Sequence, residues 1–472
     1  MAAKTSDIAA KVQALKDATP RLRNTTAAER CAKMKALWEA TVDRKDDLFK
    51  AAHIERGTHD LDMAAELVML KSEVDFMCKN LAKWMQPEKV KNSMATMGKR
   101  CEIRRQSKGV VLNMAAYNAP TAESFVPMLA SIAAGNAMAI KPSELAPDSA
   151  QIIQEIVNKV FPSDEADVFQ GGIEVAQELL KQPFDHIYYT GGTAVGKIVM
   201  KAAADNLASV TLEMGGKNPV IIDETAKLEN AAKKLAWGRV MNAGQVCIAP
   251  DYAIVHESVK EEFQTLMAAQ INELYDSENT GLENSKYVPR IINERHTSRV
   301  KSLIDDAVQK GATIICGGNA DIKDNYIEPT LLTNVSEDMD IMREEVFGPV
   351  MCVVGYKDRA EVLDIIKPRT NSLALYIYSN NEDNIEFFLD NTSSGSAVVN
   401  NNCIQSGTNP RLPFGGVGKS GMGRIGGYEG FKTMSNERSV VHQPLDKFRD
   451  FLIQLPPYSE RYSGLIMKGI KK

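Results

Sequence analysis

The chain has no CxxC pair, no zinc-ligand spacing and no apolar run near the ~18 residues that a membrane helix needs. Its opening, MAAKTSDIAAKVQALKD, alternates charges with alanines and lacks the apolar stretch of a secretory leader. Seven cysteines, at 31, 78, 101, 247, 316, 352 and 403, form an odd set without a disulfide pattern. Free thiols in a reducing compartment fit this best, so a cytoplasmic protein without a structural metal is expected. A formal net charge of -5 with no basic stripe excludes a nucleic-acid partner. The six histidines lie in no recognisable motif with a cysteine, which argues against a thiol hydrolase.

What is present is globular in character. Apolar residues make up 44% and charged residues 25%, and 472 residues suffice for two to three domains. Apolar positions recur at helical spacing over 27–56 and 61–84, and Met97–Arg105 reads as a strand or hairpin. A regular alternation follows. Strands are predicted at Gly109–Ala115, Ala137–Lys141, Asp167–Gln170, His186–Tyr189 and Ser209–Glu213, with helices between them. That order implies a parallel sheet covered by helices. A second α/β stretch has helices at 228–241 and 258–275. Its strands are predicted at Tyr252–His256, Thr313–Cys316, Val350–Gly355 and Leu373–Ser379.

Three short segments carry chemistry. Thr190–Lys197 (TGGTAVGK) joins a strand to a helix, where glycines let backbone N–H groups approach a phosphate. It misses the P-loop because Ile198 replaces the required Ser or Thr, and GVGKS at 416–420 misses it because Pro413 replaces a glycine. Cys247 sits in a glycine-containing turn between helix and strand, a place that can expose a thiol, although most lone cysteines are small core residues. Glu213 ends an apolar strand ahead of two glycines. Desolvation there would make it a base, and the plainer alternative is a pair with Lys217.

Six motifs occur in order: IKPSE, YYTGGTAVGK, VTLEMGGKNP, GQVCIAPDY, EEVFGPV and LPFGGVGKSGMG. Together they resemble the aldehyde dehydrogenase superfamily over about residues 30–445. CIAPDY, LALYIYSNN and TSSGSAVVNN are similar to its class 3-type branch, which handles aromatic and medium- or long-chain aliphatic aldehydes. The resemblance implies a Rossmann-like NAD(P)-binding domain (1–92 and 109–212), a second α/β catalytic domain (213–400) and a small β bridging segment (93–108 and 411–445). It implies Cys247 as nucleophile, Asn118 as oxyanion donor and Glu213 as the base that hydrolyses a thioester. Lys141 and Glu144 would meet the adenine-side ribose, Gly191–Gly196 the pyrophosphate, and Glu345 and Phe347 the nicotinamide riboside. Tyr117, Ala119, Trp237 and Phe414 are candidate pocket walls. Ala119 departs from the bulky residue usual in this branch, so a roomier pocket is expected there. NAD is the expected cofactor, with NADP also usable, and a homodimer is the expected assembly. The rival readings are a coenzyme A-acylating enzyme, against which Glu213 argues, and a non-catalytic binding protein on the same scaffold.

Overall fold

The computed structural model describes residues 5–93, 96–369, 371–405, 409–445 and 460–470. Its first large sheet has six strands in the order Gly421–Met422, Ser209–Met214, His186–Gly191, Val110–Met114, Ala137–Lys141 and Ala166–Val168. All neighbours are parallel except the short edge strand Gly421–Met422. The chain runs outward from Val110–Met114 to Ala166–Val168, then returns to the other side of Val110–Met114 with His186–Gly191. This reversal opens a crevice at the carboxyl ends of those two strands, where ligands of doubly wound sheets bind.

The near-continuous apolar runs of these strands follow from burial on both faces. Val111 and Ile140 pack into one core and Val110, Leu112 and Ala139 into the other, as the two-residue period requires. The second sheet has seven strands: Thr313–Cys316, Thr330–Thr333, Val350–Tyr356, Tyr252–His256, Pro219–Ile222, Ser372–Tyr378 and Ser394–Val399. It too is parallel, apart from the edge strand Thr313–Cys316. Pro219–Ile222, which has only four residues, lies near its middle and escapes a reading by periodicity.

The helical pattern over 27–56 resolves into two helices, Ala27–Asp43 and Lys45–Arg56. They break at Arg44, whose side chain reaches Asp47 and Glu155. A third, largely exposed sheet centres on Arg100–Ser107. That strand pairs antiparallel with Glu88–Val90 and, along its full length, with Ser435–His442.

One connection positions the site. Met214 ends a strand of the first sheet and Pro219 begins a strand of the second, so four residues carry the chain from one sheet to the other. The carboxyl end of the first sheet therefore faces the amino end of the second.

Candidate active site

Cys247 follows a backbone turn that the sequence would not adopt unaided. Helix Leu228–Val240 ends, and Asn242, Ala243 and Gly244 all take positive φ, at 50°, 53° and 69°. A left-handed alanine costs ~1–2 kcal/mol, so surrounding contacts must impose it. The Asn242 amide donates to the Asn118 carbonyl at 2.9 Å. Gln245 donates to the Arg290 carbonyl and accepts from the Ile292 N–H, both at 3.0 Å. The Asn218 amide donates to the carbonyls of Cys247 and Ala249, each at 2.9 Å. Arg239 donates to the Pro250 carbonyl at 2.7 Å. The turn is thereby tied to both sheets.

Cys247 opens onto a cavity of about 70 Å³. Glu123, Tyr188, Thr190, Glu213 and Phe414 share its lining with apolar residues that include Val126, Pro127 and Ile425, and no histidine is among them. Glu213, at the end of its strand, is 4% exposed. Among the described residues neither of its carboxyl oxygens has a hydrogen-bond partner. Burial pushes its pKa well above the usual carboxylate range; the Glu123 charge adds to this and Arg424 opposes it. Lys217 does not neutralise Glu213. Its ammonium turns to Asp251, whose other oxygen accepts from the Val346 N–H at 3.0 Å.

The Cys247 thiol is likewise raised, first by burial and then by the charges of Glu123, Glu345 and Glu213. It is therefore a protonated thiol at rest. Gly415 lets the 411–425 loop close over the site. A Cβ there would stand 2.5 Å from the Gly423 carbonyl and 3.0 Å from a Glu213 oxygen. Asn118 precedes helix Pro120–Ala134 and is buried, and its side-chain amide has no partner among the described residues.

Lys141 and Gly191, two of the expected cofactor residues, lie at the carboxyl ends of strands of the first sheet. Buried Lys141 ends its strand and donates to exposed Glu144 at 2.8 Å. Gly191 and Gly192 lead into helix Thr193–Asp205, whose first turn has no side-chain cap and whose Gly192 faces open space. Gly196 packs the helix onto the sheet, since a Cβ there would lie 2.5 Å from the Met214 sulfur. An uncapped helix N-terminus, an open glycine and the Lys141–Glu144 pair just beyond a strand two places along the same sheet suit a dinucleotide.

Glu345 is pushed up to about 7, first by burial and then by Asp251, while the Gly216 N–H opposes this. It closes directly on Gly215, where a Cβ would meet its oxygen at 2.1 Å. Phe347 holds a positive φ of 45°, and its ring stands edge-on to Tyr117 at 6.1 Å.

Trp237, 38% exposed, lines a groove with His59, Leu61, Met241 and Tyr287. Ala119 sits at the N-cap of helix Pro120–Ala134 without a side-chain cap. Phe414 does line the Cys247 cavity. Sequence reasoning missed Asn218, Asn242, Asp251, Arg424 and Glu123. Asn218, directly after GGK, was the one with a usable signal: a polar side chain at the start of a buried strand needs backbone partners.

Comparison with known proteins decides the assignment. The model of the aldehyde dehydrogenase family matches residues 1–440. The chain belongs to the aldehyde dehydrogenase family. Among its relatives, aldehyde dehydrogenase family 3 member A2 of Macaca fascicularis is 39% identical, over 91% of this chain and 87% of the relative. The dimeric NADP-preferring aldehyde dehydrogenase of Canis lupus familiaris is 38% identical, over 83% of this chain and 84% of the relative. A solved structure of Staphylococcus aureus AldH in a substrate-bound state superposes with a TM-score of 0.92. It is 35% identical, with 98% of this chain and 99% of that one covered. These findings match the class 3-type branch. The protein is thus an NAD(P)-dependent oxidoreductase that oxidises aldehydes. Among the described residues, no helix is long and apolar enough to cross a membrane.

Proposed function

We propose that Cys247, Asn118 and Glu213 carry out a hydrolytic aldehyde oxidation, and that the substrate is an aromatic or medium- to long-chain aliphatic aldehyde. The observation that carries this reading is Glu213 itself: a buried carboxyl without a partner, facing the cavity that holds the thiol. Structural glutamates are paired, whereas an unpaired one beside a nucleophile is suited to proton transfer. The apolar remainder of the wall supports the substrate class.

In this reading the Cys247 thiol first gives its proton to solvent, and the sulfur then attacks the aldehyde carbon. The Asn118 amide and the Cys247 N–H hold the developing oxyanion. NAD or NADP, when bound, would supply the acceptor for the hydride that the aldehyde carbon gives up. A thioester on Cys247 remains, and Glu213 takes a proton from the water that cleaves it. Lys141 and Glu144 would hold the adenine-side ribose, the Gly191–Gly196 turn the pyrophosphate, and Glu345 with Phe347 the nicotinamide riboside.

The proposal extends to the rest of the molecule. A nucleotide-binding unit (1–92 and 109–212) and a catalytic unit (213–400) enclose the site. The bridging stretches 93–108 and 411–445 pair two copies into a cytoplasmic homodimer. The long, exposed pairing of Arg100–Ser107 with Ser435–His442 supports that bridging role.

The test follows NADH and NADPH formation with benzaldehyde and hexanal, with and without coenzyme A. Turnover without coenzyme A, lost in Cys247→Ala while cofactor binding persists, is expected. Turnover that requires coenzyme A would replace hydrolysis with acyl transfer.

A further inference from the structure

Helix Pro120–Ala134 is buried along its length with one exception, Glu123, which is also its only charged residue. A single ionisable group in an otherwise uncharged, buried helix is costly to keep. A first-turn acid can be explained by the helix dipole. Here, however, Glu66 already accepts the Ala122 N–H at that helix end, at 3.1 Å. The Glu123 side chain instead enters the cavity that contains Cys247 and Glu213.

One Glu123 oxygen accepts from the Thr190 hydroxyl at 2.8 Å, and among the described residues the other has no hydrogen-bond partner. The remaining wall offers that oxygen mostly hydrocarbon: Met69, Ala122, Val126, Pro127 and Ile425. At about 70 Å³ the cavity exceeds the ~30 Å³ share of one water, so it has room for part of a substrate.

We propose that Glu123 is a specificity-determining residue that selects aldehydes bearing a hydrogen-bond donor, a hydroxyl or an ammonium group, close to the carbonyl. The donor meets the free carboxylate oxygen while the carbonyl carbon rests at the Cys247 sulfur. Burial raises Glu123 only to about 6, against the help of the Thr190 hydrogen bond, so the carboxylate is largely charged at neutral pH. A charge-assisted hydrogen bond made in a mostly apolar cavity discriminates strongly against an analogue that lacks the donor.

This inference rests on the roles proposed for Cys247 and Glu213, and the experiment separates the two. kcat/KM is measured for propanal, 3-hydroxypropanal and 3-aminopropanal with the wild type, Glu123→Gln and Glu123→Leu. Cofactor binding is measured in each to show that the variants fold. The wild type is expected to prefer at least one donor-bearing aldehyde by ~10- to 100-fold over propanal. That ratio should collapse towards one in Glu123→Leu, whatever its absolute rate. Glu123→Gln keeps an acceptor, so it should retain part of a hydroxyl preference but lose an ammonium preference. Equal kcat/KM for the three aldehydes in the wild type overturns the role of Glu123, as does an undiminished ratio in Glu123→Leu. Absence of turnover with all three, while hexanal or benzaldehyde is oxidised, overturns the role of Glu123; absence with these two aldehydes as well overturns the roles of Cys247 and Glu213, and this inference with them.

Discussion

Replacing Glu213 should separate the two halves of the reaction and at the same time alter stability. Glu213→Gln preserves shape but removes basicity. Loss of a positioned general base typically lowers rate by ~10²–10⁴. Thioester formation needs no water, so the variant should release one equivalent of NADH or NADPH per site in a burst and then stall. Stopped-flow absorbance reads the burst, and intact-protein mass spectrometry reads the acyl group on Cys247. An unchanged steady-state rate, or a stalled enzyme with no acyl adduct, would refute the role.

The stability arm follows from burial. Both Glu213 oxygens lack partners among the described residues, and leaving a buried polar group unsatisfied costs ~1–3 kcal/mol. Glu213→Leu should therefore be more stable than the wild type by about that amount. The pH sign is fixed as well. The folded pKa lies above the unfolded one, so the folded state binds the proton more tightly. Stability from this group is then present at low pH. It falls by up to about 1.4 kcal/mol per unit as pH rises from the ordinary carboxylate range towards the folded pKa. Urea unfolding at pH 5 and pH 8 should show a larger loss in the wild type than in Glu213→Leu.

Three further perturbations follow. Asn118→Ala should lower kcat by ~10²–10³ with cofactor affinity unchanged, because it removes an oxyanion donor; equal losses in both would point to misfolding. Gly215→Ala would place a Cβ 2.1 Å from a Glu345 oxygen and displace that carboxylate, so the NADH dissociation constant measured by fluorescence should rise ~10- to 100-fold. Glu73, buried and accepting the Gly427 N–H at 2.8 Å, is pushed up to about 7 by burial. Its folded pKa exceeds the ordinary value, so the wild type should lose up to about 3 kcal/mol between pH 5 and pH 8 that Glu73→Gln keeps, a difference visible in thermal midpoints.

The sequence by itself determined the alternating architecture and the reactive letters. Long buried strands such as Val110–Met114 and Tyr252–His256 announce themselves because each residue's environment repeats along the strand. Motifs such as LEMGGK and GQVC are legible because their function depends on a few adjacent residues. The four-residue strand Pro219–Ile222 was not legible, since four residues are too few to establish a period. The break at Arg44 was hidden because side-chain partners decide it, and no glycine or proline marks it.

Tertiary structure alone decided what surrounds the thiol. Lys217 stands four residues from Glu213 yet turns to Asp251, so the carboxyl is left unpaired. Trp237 has the helical spacing of a core residue, yet the packed helix leaves it partly exposed in a groove with His59 and Tyr287. Glu123 looks like an ordinary first-turn acid, and only the crossing of the two sheets brings it to the cavity of Cys247. Local patterns record which face of an element is buried. The charge a buried group meets there depends on elements far away in the chain, and that is fixed only when they pack.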